Sequence, residues 1–222
     1  MKLTYYLEVL SSWGTWAEPT WSELRRRYAA LGVTCEWRIA LMNPADFPTS
    51  RAQTDWFYQR SGGTVMRSPF MLNSGWFEAQ RGGHYEAPNL VAEAARDFGF
   101  DGDEIRLALA HAGVREGQKI GDLATAVAVA SSAGGKKLPA KKLRAAAASA
   151  SVRARVDAST AEFFAHQISQ RPAFVLTSAI GDKADFSGLV RLDPLVATID
   201  AMLADTAAYA AHQAHHGGPP VG

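Results

Sequence analysis

The side chains of this chain that could do chemistry are few and scattered. Cys35 is the single cysteine. One thiol cannot close an internal disulfide, and no cysteine cluster offers a structural zinc site. Cys35 falls in the alternating run Val33, Cys35, Trp37, Ile39, Leu41 and reads as a small buried hydrophobe. Ser11 and Ser12 stand where an apolar run ends, followed by Trp13 and Gly14, and by residue type they read as caps of a turn or helix. Arg67 and Arg81 lie among aromatic residues and are of a type that meets a carboxylate. His84, in the same segment, is the one histidine placed for acid–base work, although a lone surface histidine fits it as well. His111 and His166 fall in expected helices and read as structural. His212, His215 and His216 near the end read as adventitious metal binders, so no metal site is expected.

The elements that must position these groups follow from pattern. Leu3 to Leu10 reads as a strand, broken at Ser11-Ser12-Trp13-Gly14. Trp21, Leu24, Tyr28 and Leu31 recur at helical spacing, which predicts a helix over 20–31, opened by Pro19 and closed by Gly32. A second strand is expected over 33–41. Residues 43–87 read as irregular and aromatic-rich. From Pro88 the chain turns alanine-rich, and helices are expected over 89–98, 102–112, 121–132, 139–148 and 151–167. Strands follow at 173–177 and 184–188. Asp193 is expected to cap a last helix with Pro194 at its first position, and the tail from Ala207 is expected to fray. The sheet-forming halves are therefore 1–50 and 168–206, the mostly helical insertion 51–167, and the flexible tail 207–222.

The bulk properties exclude several classes of function. With 222 residues, 47% hydrophobic and 20% charged, the chain can bury a sizeable core. Its net charge of +1 creates no global field that would recruit nucleic acid or an acidic membrane. The basic run from Lys136 to Arg144 reads as a solvated loop and helix start. Met1 to Tyr6 lacks the apolar run of a secretion signal, and no stretch approaches a bilayer span, so a cytoplasmic location is expected.

Four stretches carry a family resemblance. Glu8-Val9-Leu10-Ser11-Ser12-Trp13-Gly14, continuing to Glu18-Pro19, resembles a post-strand C-x-x-C motif with Ser11 and Gly14 at the two cysteine positions. Val114 to Leu123, with its Glu116-Gly117 and Ile120-Gly121-Asp122, resembles a turn that leads into a helix ending Ala133-Gly134. Ser151 to Glu162 resembles the long helix before the family's cis-proline. Arg171-Pro172-Ala173-Phe174-Val175-Leu176 with Phe186-Ser187-Gly188 resembles the proline-led hairpin. Their order resembles the DsbA-like branch of the thioredoxin fold, an α/β architecture with an inserted all-helical domain. That branch includes 2-hydroxychromene-2-carboxylate isomerases, kappa-class glutathione transferases and FrnE-like proteins.

The resemblance implies a site. A dithiol pair works because its first sulfur, beside a helix N-terminus, is readily ionised. Neither Ser11 nor Gly14 can replace that chemistry, so dithiol–disulfide exchange is not expected. In isomerase and transferase relatives a serine at this place donates to the sulfur of glutathione, which implies Ser11 as the catalytic group. Glutathione or another small thiol would then be the cofactor, held by Ser12, Trp13, Arg171, Pro172 and Arg191, with a small aromatic or unsaturated acid as substrate. Val190 stands where glutathione-binding relatives carry an acid for the γ-glutamyl amine. The aromatic residues Trp13, Trp16, Trp21, Trp56, Phe57, Phe70, Trp76 and Phe77 either line a pocket or join the core and a dimer contact. A homodimer is implied by the resemblance. A redox-inactive ligand- or partner-binding protein is the alternative function, and cofactor-free catalysis within the aromatic pocket a third.

Overall fold

The computed structural model describes residues 1–188 and 190–218. Four strands form one sheet: β1 (Lys2–Leu7), β2 (Thr34–Ile39), β3 (Ala173–Thr177) and β4 (Lys183–Ser187). Their order is β2-β1-β3-β4. β2 runs parallel to β1, with Leu3 opposite Cys35, whereas β3 is antiparallel to both β1 and β4. The parallel pair needs a crossover, and α1 (Ser12–Tyr28) supplies it. A further six helices, α2 (Arg51–Thr64), α3 (Ala87–Ala95), α4 (Glu104–Ala110), α5 (Leu123–Gly134), α6 (Ala140–Ala147) and α7 (Ala150–Ala165), fill the interval between β2 and β3. The last, α8 (Leu192–His216), closes the chain.

The alternation along β1 sorts the core. Leu3, Tyr5 and Leu7 face α1 and α8, where Tyr5 lies between Trp21 and Phe174 with ring centroids 5.0 and 4.9 Å away. Tyr6 points to the other face and joins Ala40, Phe163, Ile168, Ala173 and Val175. α7 covers that face through Phe163, and Ser159 Oγ donates to the Ile39 carbonyl at 2.6 Å. In the inserted helices, small residues such as Ala92, Ala95, Ala126, Ala130 and Ala147 are buried, which lets α3, α5 and α6 pack closely.

Four expectations are corrected. α1 starts at Ser12, eight residues before the predicted start, because Ser11 caps it and the helix runs through Pro19. Residues 43–87 are not wholly irregular: α2 occupies 51–64. Its N-terminus is held by a reciprocal box in which Ser50 Oγ accepts from Gln53 N at 3.1 Å and Gln53 Oε1 accepts from Thr49 N at 2.6 Å. Asp193 does not cap α8; Arg191 holds the cap position without a side-chain bond, and Asp193 lies in the first turn. The segment from Ala207 is helical as far as His216 rather than frayed, consistent with the helix propensity of its alanines. Pro219 to Gly222, the end of the expected tail, lie outside the described residues.

One ion cluster fastens the insertion to the sheet domain. Arg106 of α4, 2% exposed, grips Glu18 of α1 with Nη1 and Nη2 at 2.6 and 2.9 Å. It also binds Asp103 at 2.6 Å. Tyr5 OH donates to Glu18 and Trp21 Nε1 to Asp103, so both carboxylates are satisfied by buried donors. Among the described residues, no helix is long and apolar enough to cross a membrane.

Candidate functional site

The turn after β1 is built around Ser11. Its N–H donates to the Glu8 carbonyl at 3.0 Å, and its carbonyl accepts from Thr15 N at 3.0 Å as the first bond of α1. Ser11 Oγ accepts from Gly14 N at 3.1 Å. This is an N-cap, as residue type alone indicated. Capping uses a lone pair of the hydroxyl and leaves its proton to give. Among the described residues that proton has no acceptor. The helix N-terminus adds a partial positive charge at the same point.

A buried carboxyl supports the turn from beneath. Glu8 is 2% exposed and accepts from Asn89 Nδ2 and from Met42 N. Asn89, fully buried on α3, accepts from Val9 N with Oδ1 at 3.1 Å. These bonds tie the end of β1, the segment after β2 and α3 together directly under Ser11. Burial pushes the Glu8 carboxyl up to about 7, against the lowering effect of the donors from Asn89 and Met42. Residue type and spacing alone assign Glu8 no role. The signal available in sequence was an acid placed after an apolar strand, where water is excluded.

Ser11, Ser12 and Trp13 form one wall of a cleft of about 270 Å³. Phe57, Tyr58 and Trp76 form the aromatic wall, and Gln170 and Arg171 lie across from them. Trp76 Nε1 donates to Tyr58 OH, so the buried polar atoms of that wall are mutually paired. Arg60 closes the rim, its guanidinium 5.0 Å from the ring centroids of both Trp56 and Phe57. No carboxylate among the described residues pairs with Arg60.

The residues singled out in sequence separate into two groups. Arg171 does line the cleft, but its guanidinium is turned inward: Nε donates to the Ala40 carbonyl at 2.9 Å and Nη2 to that of Leu41. It also stacks 4.4 Å from the Phe163 ring centroid. It thus braces the segment after β2 and has little left to offer a ligand carboxylate. The Arg171–Pro172 bond is cis, and Pro172 is buried with its carbonyl accepting from Gly188 N at 2.8 Å. Arg191 is not in this cleft. It lines a second, outer cleft of about 570 Å³ together with Trp16, Thr20, Arg67, Val190 and Asp193. Trp13 is a wall of both. Thr20 Oγ1 donates to the Val190 carbonyl at 2.6 Å, which fixes the loop before α8 against α1.

Asp193 is the residue that sequence reasoning placed wrongly. Assigned to a helix cap, it is exposed on the first turn of α8 and lines the outer cleft. The aromatic residues likewise divide: Trp16, Trp21 and Trp76 are buried, whereas Trp56 and Phe70 are 54% and 87% exposed. Arg81 is engaged by Glu78 at 2.5 Å, and His84 lies exposed beside Glu86 at 3.3 Å. Cys35 sits opposite Leu3, at the far end of the parallel strand pair from Ser11, and burial raises its thiol pKa. It cannot serve the cleft.

No family model matches the chain, and no curated protein matches it in sequence. Solved structures do match. A candidate protein disulfide isomerase from Nitrosomonas europaea aligns with a TM-score of 0.69 at 19% identity, covering 92% of this chain and 98% of that one. The cytosolic disulfide reductase DsbM from Pseudomonas aeruginosa aligns at 0.69 and 15% identity over 91% of this chain and 98% of that one, and has also been solved with GSH. A 2-hydroxychromene-2-carboxylate isomerase aligns at 0.61 and 17% identity over 94% and 99%. The chain has the DsbA-like thioredoxin fold with a helical insertion, without its redox cysteines.

Proposed function

We propose that this DsbA-like thioredoxin fold serves a glutathione-dependent isomerase or transferase that acts on a small aromatic or unsaturated acid. The observation that carries the reading is the Ser11 hydroxyl, fixed as a cap by Gly14 N and left with an ungiven proton at the mouth of the cleft. A hydroxyl and a helix N-terminus aimed at one point favour a thiolate over a thiol there.

The residues present fit a glutathione-sized ligand. The outer cleft offers one carboxylate, Asp193, and two guanidiniums, Arg67 and Arg191, none of them in an ion pair among the described residues. That set is complementary to a molecule with one ammonium and two carboxylates. Asp193 supplies from α8 the acid that Val190 lacks. When bound, glutathione supplies a nucleophilic sulfur that the chain itself does not possess. Ser11 then donates to that sulfur, and Trp13 separates the outer cleft from the inner one. In the inner cleft Phe57 and Trp76 accommodate a flat apolar body, and Arg60 at the rim receives its carboxylate.

The alternative reading is a redox-inactive binding protein that uses the same clefts without turnover. It is favoured by the small exposure of Ser11, 9%, and by the inward turn of Arg171. Calorimetric titration with glutathione tests the first reading. Binding that weakens in Asp193→Asn and in Ser11→Ala supports it. No heat at millimolar glutathione removes it and leaves the binding protein.

A further inference from the structure

We infer that a second ligand site, for a small apolar carboxylate, lies on the opposite flank of α1 from the outer cleft. A groove of about 420 Å³ runs there between α1 and α4, floored by the end of β1. Its volume falls within the ordinary range for small-molecule sites. Thr15, Pro19 and Ser22 line one side, and Leu107, Ala110 and Val114 the other. It shares no lining residue with the inner cleft and only Pro19 with the outer one.

Three observations point to a ligand of this class. The first is apolar surface left in the open: Leu107 is 38% exposed on the groove wall. The second is charge. Glu18 and Asp103 are neutralised by Arg106 and Arg25 together, and His111 is paired with Glu116 at 3.0 Å. Arg115 is exposed on the same rim and has no carboxylate partner among the described residues. Glu8, the remaining carboxyl of the lining, is 2% exposed and held by Asn89 and Met42, so the exposed charge that the groove leaves without an ion-pair partner is positive, on Arg115. The third is backbone. His111–Arg115, the continuation of α4 along the groove, is π-helical, a local widening that recurs at functional sites. It carries both Val114 and Arg115 into the lining.

From Gly14 to Ser22 the α1 wall extends about 12 Å at the helical rise. That length suits a bicyclic aryl or medium-chain acid. The carboxylate meets Arg115, the body lies on Leu107, Ala110 and Val114, and the far end reaches Ser22.

The test uses 2-naphthoate as the probe and 2-naphthylmethanol as its uncharged counterpart, with calorimetry on the full chain. Naphthoate is expected to bind at submillimolar concentration. Arg115→Ala weakens it about tenfold, as loss of one charge-assisted contact does, and leaves the alcohol unchanged. Ala110→Phe, which fills the trough, abolishes binding of both. Leu107→Glu, at an exposed position that does not threaten folding, repels the acid more than the alcohol. All titrations are made in a Phe57→Ala background, so that the aromatic wall of the inner cleft does not hold the probe. Absence of binding at millimolar naphthoate overturns the proposal. So does binding that ignores Arg115→Ala and Leu107→Glu in that background.

Discussion

A Cβ built on Gly14 stands 3.3 Å from the Cβ of Ser11. Disulfides need about 3.5–4.5 Å between these atoms, so the geometry of a dithiol turn persists without its sulfur. The double variant Ser11→Cys, Gly14→Cys is expected to oxidise readily within the turn, after a shift of a few tenths of an ångström. Thiol counting checks it: after mild oxidation only Cys35 remains titratable, and slowly, since burial raises its pKa. Two further thiols that stay reduced would mean the turn has lost that geometry.

Glu8 makes stability depend on pH. Its carboxyl rises from 4.5 unfolded to about 7 folded, so between these values the folded state holds the extra proton. Stability contributed by Glu8 is therefore present below pH 4.5 and is lost as pH rises towards and through 7. The total over that window is on the order of a few kcal/mol. Denaturant midpoints measured from pH 5 to 8 are expected to fall, and Glu8→Gln to flatten the slope.

Asn89 holds two buried groups at once. Asn89→Leu would orphan Val9 N–H and remove a donor from Glu8. A loss of about 2–4 kcal/mol is expected by chemical denaturation, well above the effect of a surface change. Ser11→Ala, which removes only a cap, should cost about 1 kcal/mol. That difference matters in reading any loss of function in Ser11→Ala, because a folded variant is expected.

Arg106 is the fastener between α1 and α4. Arg106→Met leaves Glu18 and Asp103 facing each other's charge in a half-buried site, with only Arg25 nearby for Asp103. The expected loss is about 3 kcal/mol or more, seen as a lowered denaturation midpoint. Adding Glu18→Gln to Arg106→Met should recover part of it, since one unpaired charge is then gone.

Much of the fold was legible because its signals are local. The apolar run from Leu3 to Leu10, the alternation from Val33 to Leu41, the alanine-rich helices and the proline before β3 each speak for themselves in sequence. The misreadings are local conflicts resolved by packing. Pro19 looked like a helix start, yet α1 passes through it because Trp16, Ala17, Thr20 and Trp21 on either side are all buried. α2 has a poor apolar stripe, and only the Ser50–Gln53 box announced it. The candidate site was half legible. Ser11, Ser12 and Trp13 are contiguous with a strand end and could be read together. Asp193 and Arg60 could not be placed, because nothing in their own neighbourhoods says which helix face meets the cleft. The same is true of Arg171, whose guanidinium turns inward only because the Ala40 and Leu41 carbonyls await it.

The central claim is that the Ser11 proton is given to a sulfur brought in by a ligand. Thiolate absorbance of glutathione, titrated with pH in the presence of saturating protein, tests it most directly. The account predicts a bound thiol ionising clearly below its free value, and a midpoint that moves back towards that value in folded Ser11→Ala. A midpoint for bound glutathione that is the same in both proteins would contradict it.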